Sequence, residues 1–255
     1  MTYVFMWYPR VMRLFIFILV IIGILALAWF TGMWRLAKTI WLIVEVRPYE
    51  QVGTGENPSS ILVLGDSTGY GTGAGKKQFS IAGLMGAEYP QYAISNNSKN
   101  GRTIGQALVE IKTLPIEPPH KLLLLQIGGN DILQKRNVDV VRVELTSLYA
   151  EAKKRSEAVV MISSGNVGTA ARYVGTKEAG EYERLTRQYR EMFLDVASSS
   201  EVTYVDLFKE PEFDVFLQEP KKYFAIDGLH PSAAGYAQWY QSLAPVLKKE
   251  LTTKN

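Results

Sequence analysis

Short apolar runs alternate with amphipathic stretches along most of this chain, and one long apolar run at its start breaks the pattern. From Leu14 to Phe30 the sequence LFIFILVIIGILALAWF carries no charge and almost nothing polar. With Val11 and Met12 added it reaches the length of a bilayer core, and Trp7, Tyr8, Trp29 and Trp34 flank it as interfacial aromatics do. The pattern predicts an N-terminal transmembrane helix within a segment 1–33. A cleaved signal peptide is the rival, because Ala26-Leu27-Ala28 resembles a small-x-small cleavage site. The run is long for a signal peptide, which favours a retained anchor.

Residues 34–59 form a juxtamembrane segment and linker. Trp34, Leu36, Ile40, Trp41, Ile43 and Val44 mix with a few charges, as in a helix that extends the anchor or lies on the membrane surface. Gly53 to Ser60 (GTGENPSS) reads as linker. Arg10 and Arg13 precede the span, while Arg35, Lys38 and Arg47 follow it, so the distribution of positive charge gives no clean orientation. A short tail, one span and a folded domain is the layout of a single-pass signal anchor, with the domain outside the cytoplasm.

From residue 60 to 255 the apolar runs are four to seven residues long and separated by helical patterns. Strands are predicted over 61–65, 92–95, 121–127, 158–163 and 202–207. Helices are predicted over 79–88, 103–114, 138–155 and 177–198, with a last helix from Pro231, a residue favoured in a first turn, to about residue 251. Continuous apolar strands alternating with helices mean βαβ units and a parallel sheet covered on both faces. Ligands bind such sheets beyond the carboxyl ends of the strands, where Ser67, Asn130 and Asn166 fall.

Composition narrows the chemistry. The chain has 255 residues, no cysteine and a net charge of +3, so disulfides, thiolate metal sites and a cysteine nucleophile are excluded. No basic stripe of the kind nucleic-acid binding needs is present. One of the two histidines, His230, follows Asp227 by three residues in Asp227-Gly228-Leu229-His230-Pro231-Ser232. A carboxylate that orients an imidazole makes it a good general base. Ser67, at the end of the first strand in Gly65-Asp66-Ser67, is a hydroxyl for that base to serve. The other histidine, His120, precedes the third strand and belongs at the far edge of the sheet. The glycine run from Gly69 to Gly75 fails the phosphate-loop pattern at Tyr70 and Lys77, and is expected instead to keep the Ser67 loop open.

These motifs, in order, resemble the SGNH or GDSL hydrolases: Gly-Asp-Ser at 65–67, a glycine after a polar loop at Gly101, Gly-Gly-Asn-Asp at 128–131, and Asp-Gly-Leu-His-Pro-Ser at 227–232. The resemblance spans about residues 60–250 and implies a three-layer α/β/α flavodoxin-like fold and serine esterase activity. It implies Ser67 as nucleophile, His230 as base, Asp227 as orienting acid, and an oxyanion hole from Ser67, Gly101 and Asn130, with neither metal nor organic cofactor. Glycine at 101 would let the backbone approach a ligand closely. The bland readings are a turn at Ser67, a helix cap at Asp227 and turn formers at Gly101 and Asn130.

The expected function is hydrolysis of carboxylic esters, acyl or acetyl, on a small-molecule, lipid or glycan substrate. An acyltransferase to envelope glycans on the same fold, or a non-catalytic envelope binding module, are the alternatives. The segments 166–180 and 208–224 are expected to shape specificity.

Overall fold

The computed structural model describes residues 8–56 and 58–252. Trp7, and the side chains of Tyr8, Arg10, Val11, Ala28, Arg35 and Ile43, lie outside what is described. The chain divides into two compact units, Met1–Trp41 and Leu42–Asn255. Helix α1 (Tyr8–Glu45) is unbroken, so the 34–45 stretch extends the helix. From Met12 to Leu42 it is long and apolar enough to cross a membrane, a property that a signal sequence near an N-terminus shares.

The second unit begins with Leu42 and Val46, both buried. The stretch before the first strand is fastened to the domain: Gln51 exchanges backbone hydrogen bonds with Ile94 at 3.1 and 2.9 Å, and the Thr54 amide donates to Pro90 O at 3.0 Å. Five strands follow: β1 (Ser60–Gly65), β2 (Ala93–Asn96), β3 (His120–Gln126), β4 (Ser156–Ile162) and β5 (Thr203–Val205). They make one parallel sheet in the order β2-β1-β3-β4-β5.

The principal helices are α3 (Ile81–Glu88), α4 (Ile104–Ile111), α6 (Val138–Lys153), α7 (Lys177–Ser199) and α10 (Ala233–Thr252). Side-chain alternation decides which face each strand residue serves. Leu62, Leu64, Leu123, Leu125 and Met161 pack under α4, α6 and α7. Ile61, Val63, Leu122, Leu124, Val160 and Ile162 pack against α3 and α10. Each such side chain, fully buried, contributes about 1.5–3 kcal/mol. Helices on both faces explain why the strands read as unbroken apolar runs.

One helical start departs from expectation. The last helix begins at Ala233, because Pro231 instead pairs with Phe224 in an isolated antiparallel bridge. Ser232 then caps it, its Oγ accepting from the Gly235 amide at 3.2 Å. Four short helices were not foreseen: α2 (Ser67–Tyr70), α5 (Gly129–Leu133), α8 (Val215–Gln218) and α9 (Pro220–Tyr223). Four or five residues are too few to display a 3.6-residue period.

The strand order reverses direction between β1 and β3. The connection after β1 crosses one face to reach β2, and later connections cross the other. In such sheets the crevice lies at that switch point, beyond the strand carboxyl ends. Ser67 follows β1 there, and Asn130 follows β3.

Candidate active site

The turn that carries Ser67 is built by its own sequence. The Asp66 amide continues the β1–β3 ladder by donating to Gln126 O at 2.9 Å. The Asp66 side chain then caps α2: Oδ1 accepts from the Thr68 amide and the Thr68 hydroxyl, each at 2.8 Å. This sets Ser67 at the first helical position, and Gly71, left-handed at φ +90°, closes the turn. Burial pushes the Asp66 carboxyl up to about 6, with the bonds from Thr68 and the nearby His230 opposing that rise.

Asp227 and His230 occupy the tip of a tight loop closed by the Phe224–Pro231 bridge and by the Ala225 amide donating to His230 O at 2.8 Å. The Asp227 Oδ1 accepts from the amides of Leu229 and His230 at 3.0 and 3.1 Å. Its Oδ2 lies 2.7 Å from His230 Nδ1, and His230 Nε2 lies 2.9 Å from Ser67 Oγ. The Asp227 side chain is 0% exposed. Burial pushes its carboxyl up, but the hydrogen bond and charge of His230, with the two amides, outweigh that and hold it below its ordinary value. Asp227 therefore caps its own loop rather than helix α10.

The β2–α4 loop is tied to β1 by the Asn97 and Lys99 amides, which donate to Val63 O at 2.8 Å and Gly65 O at 3.1 Å. Gly101 sits in it at φ +78°, and a Cβ there would meet nothing within 4 Å. Glycine is thus required by the left-handed backbone and not by close packing. Asn130, in the first turn of α5, donates from Nδ2 to Arg102 O at 3.2 Å, the carbonyl of the residue after Gly101. Among the described residues no group accepts from the amides of Ser67 or Gly101. Asp131 anchors the α5 turn from below, accepting from the Ile104 amide at 3.0 Å and from Arg136 Nη1 at 2.6 Å.

Sequence reasoning missed three supports. Arg102 is buried and its Nη1 donates to Asn97 O at 2.5 Å, bracing the Gly101 loop. Arg172 touches the Asp227 loop. The glycine run does something more specific than keeping a loop open: Gly73, at φ +91°, lets the loop after Ser67 pack directly against His230 and Pro231. The only advance signal was the run of glycines itself. His120 stands at the amino end of β3, its Nδ1 2.7 Å from Ser60 Oγ, at the edge opposite the site.

The sequence pattern of the GDSL-like Lipase/Acylhydrolase family matches residues 63–238. The chain belongs to that family. As a GDSL hydrolase it is a serine ester hydrolase of the esterase/lipase type. It is 25% identical over 193 residues to Esterase TesA of Pseudomonas aeruginosa, covering 74% of this chain and 88% of TesA. A lipolytic G-D-S-L family protein from Veillonella parvula shares its fold, with TM-score 0.58, 19% identity, 75% of this chain and 99% of that one. So does Axe2, an acetylxylan esterase from Geobacillus stearothermophilus, with TM-score 0.54, 19% identity, 80% of this chain and 97% of Axe2.

Proposed function

We propose that this GDSL hydrolase is a single-pass membrane-anchored esterase that cleaves carboxylic esters through an acyl-enzyme on Ser67. The observation that carries the reading is the unbroken chain of contacts from Ser67 Oγ through His230 to Asp227, at 2.9 and 2.7 Å. Those separations are hydrogen-bond distances, the reach a general base needs.

In the proposed reaction, Ser67 Oγ attacks the ester carbonyl carbon as His230 Nε2 takes its proton. Asp227 holds the imidazole with Nδ1 protonated and stabilises the imidazolium. The tetrahedral oxyanion is met by the amides of Ser67 and Gly101 and by Asn130 Nδ2. The imidazolium returns the proton to the alcohol oxygen as the carbon–oxygen bond breaks, leaving the acyl group on Ser67. Water then attacks the acyl carbon, His230 takes its proton, and collapse releases the acid and restores the Ser67 hydroxyl.

The apolar helix supports anchoring, and the order of short tail, span and domain supports an extracytoplasmic site. Esters at a membrane or envelope surface, lipid or acetylated glycan, are the substrates this placement favours. The segments 166–180 and 208–224 are the parts of the chain proposed to shape specificity, and Val174, on the first of them, is exposed.

Labelling the full chain with a fluorophosphonate, and assaying p-nitrophenyl esters of graded chain length with and without a glycan acceptor, tests the reading. Wild type is expected to label and turn over, and Ser67→Ala to do neither while remaining folded. A folded wild type that stays unlabelled would overturn it, and product on the acceptor in place of free acid would convert it to a transferase.

A further inference from the structure

Arg172 lies in the β4–α7 connection, far in sequence from any motif, yet it makes three contacts with the acid loop. Its amide donates to Gly228 O at 2.8 Å, and its Nε donates to Asp227 O at 3.1 Å. Its Nη2 stands 3.6 Å from Asp227 Oδ2, the same oxygen that faces His230 Nδ1. The fit is close: a Cβ on Gly228, which sits at φ +69°, would lie 3.0 Å from the Arg172 amide.

We propose that Arg172 is a positioning residue that fixes Asp227 for its work on His230, an inference that rests on the reading of Ser67, His230 and Asp227 given above. The carboxylate has two oxygens to hold. Oδ1 is pinned by two amides of its own loop. Oδ2 carries the contact with His230, and rotation about the last side-chain bond would spoil it. Arg172 limits that rotation in two ways. Its Nε clamps the Asp227 carbonyl, which fixes the peptide, and its guanidinium places a positive charge beside Oδ2. The longer separation of Nη2 leaves the short contact to the imidazole.

The Asp227 side chain is closed off from solvent and is held by two amides and the imidazole; Arg172 adds a cation beside Oδ2, where a buried carboxylate gains from one. Other groups facing the pair are Ser67 and Asp66 on the nucleophile turn and Tyr236 on α10. None of them is a cation. Arg172 is also held from behind: Thr169 Oγ1 donates to Asp214 Oδ2 at 2.6 Å, and the Gly168 amide donates to Asn166 Oδ1 at 3.0 Å, so its backbone starts from a braced loop.

The test is a double-mutant cycle on the full chain in detergent, read as kcat and KM on a p-nitrophenyl ester and as the rate of fluorophosphonate labelling. Arg172→Ala is expected to lower kcat about 10- to 50-fold with KM within about twofold, because geometry and not binding is lost. Arg172→Lys, which keeps the charge and loses the fork, should recover part of that loss. In an Asp227→Asn background, Arg172→Ala should cost less than about twofold, since residues acting as one unit are not additive. An equal fold loss in both backgrounds, a change in KM alone, or unchanged kcat would each overturn the inference. If Arg172→Ala does not fold, Arg172→Lys against Arg172→Gln decides by the same criteria. Turnover that survives Ser67→Ala would sink the underlying reading instead, so the two failures are separable.

Discussion

Gly73 and His230 are in near contact: a Cβ built on Gly73 would lie 3.1 Å from the His230 Cβ and 2.5 Å from Pro231 O. The loop after Ser67 and the loop that carries Asp227 and His230 are therefore packed closely at Gly73. A side chain at position 73 has no room between them.

Gly73→Ala should consequently separate the two loops. A misplacement of about 1 Å in a reacting group can cost on the order of 10²-fold in rate. We expect kcat to fall by about that factor with little change in KM, accompanied by a lower Tm. Gly75 is the control. It too is left-handed, at φ +73°, but a Cβ there meets nothing within 4 Å. Gly75→Ala should lose only the backbone strain, about 1–2 kcal/mol, and keep its turnover. Equal kcat losses in the two variants, measured on one ester, would remove close packing as the explanation.

Asn130 is aimed by Arg102 O and by the α5 turn that Asp131 secures. One Nδ2 hydrogen is engaged at 3.2 Å, and an amide carries a second. If that second hydrogen meets the oxyanion, Asn130→Ala should lower kcat about 10²–10³-fold, the usual effect of losing one such donor. KM should stay nearly constant, because the interaction forms only in the transition state. Normal turnover in a folded Asn130→Ala protein would strip Asn130 of the role.

Much of this was legible in the sequence because its causes are local. The strands read as apolar runs since helices cover both faces, and Ser67, Asn130, Asp227 and His230 were marked by compact motifs. What stayed hidden depends on partners far along the chain. Arg172 meets Asp227 across 55 positions and Arg102 meets Gly65 across 37, through backbone carbonyls that leave no trace in residue type. The start of α10 was misplaced for a related reason. Pro231 fits a first helical turn by local preference, but its pairing with Phe224 closes the loop that presents His230.

Asp66 gives a prediction about stability. Burial raises its carboxyl from the ordinary 3.8 to about 6, against the pull of Thr68 and His230. The folded chain thus holds this proton more tightly than the unfolded chain does. The stabilising contribution is complete below about pH 4 and is lost as pH rises through 6, a difference worth about 3 kcal/mol. Asp66→Asn keeps an oxygen to accept from the Thr68 amide and hydroxyl while removing the buried charge. Its Tm should exceed that of wild type by several degrees at pH 8, and the gap should close by pH 4. Thermal melts of both proteins across that range decide the matter: an Asp66→Asn protein less stable than wild type at pH 8 would mean that the ionised carboxylate supports the turn instead of straining it.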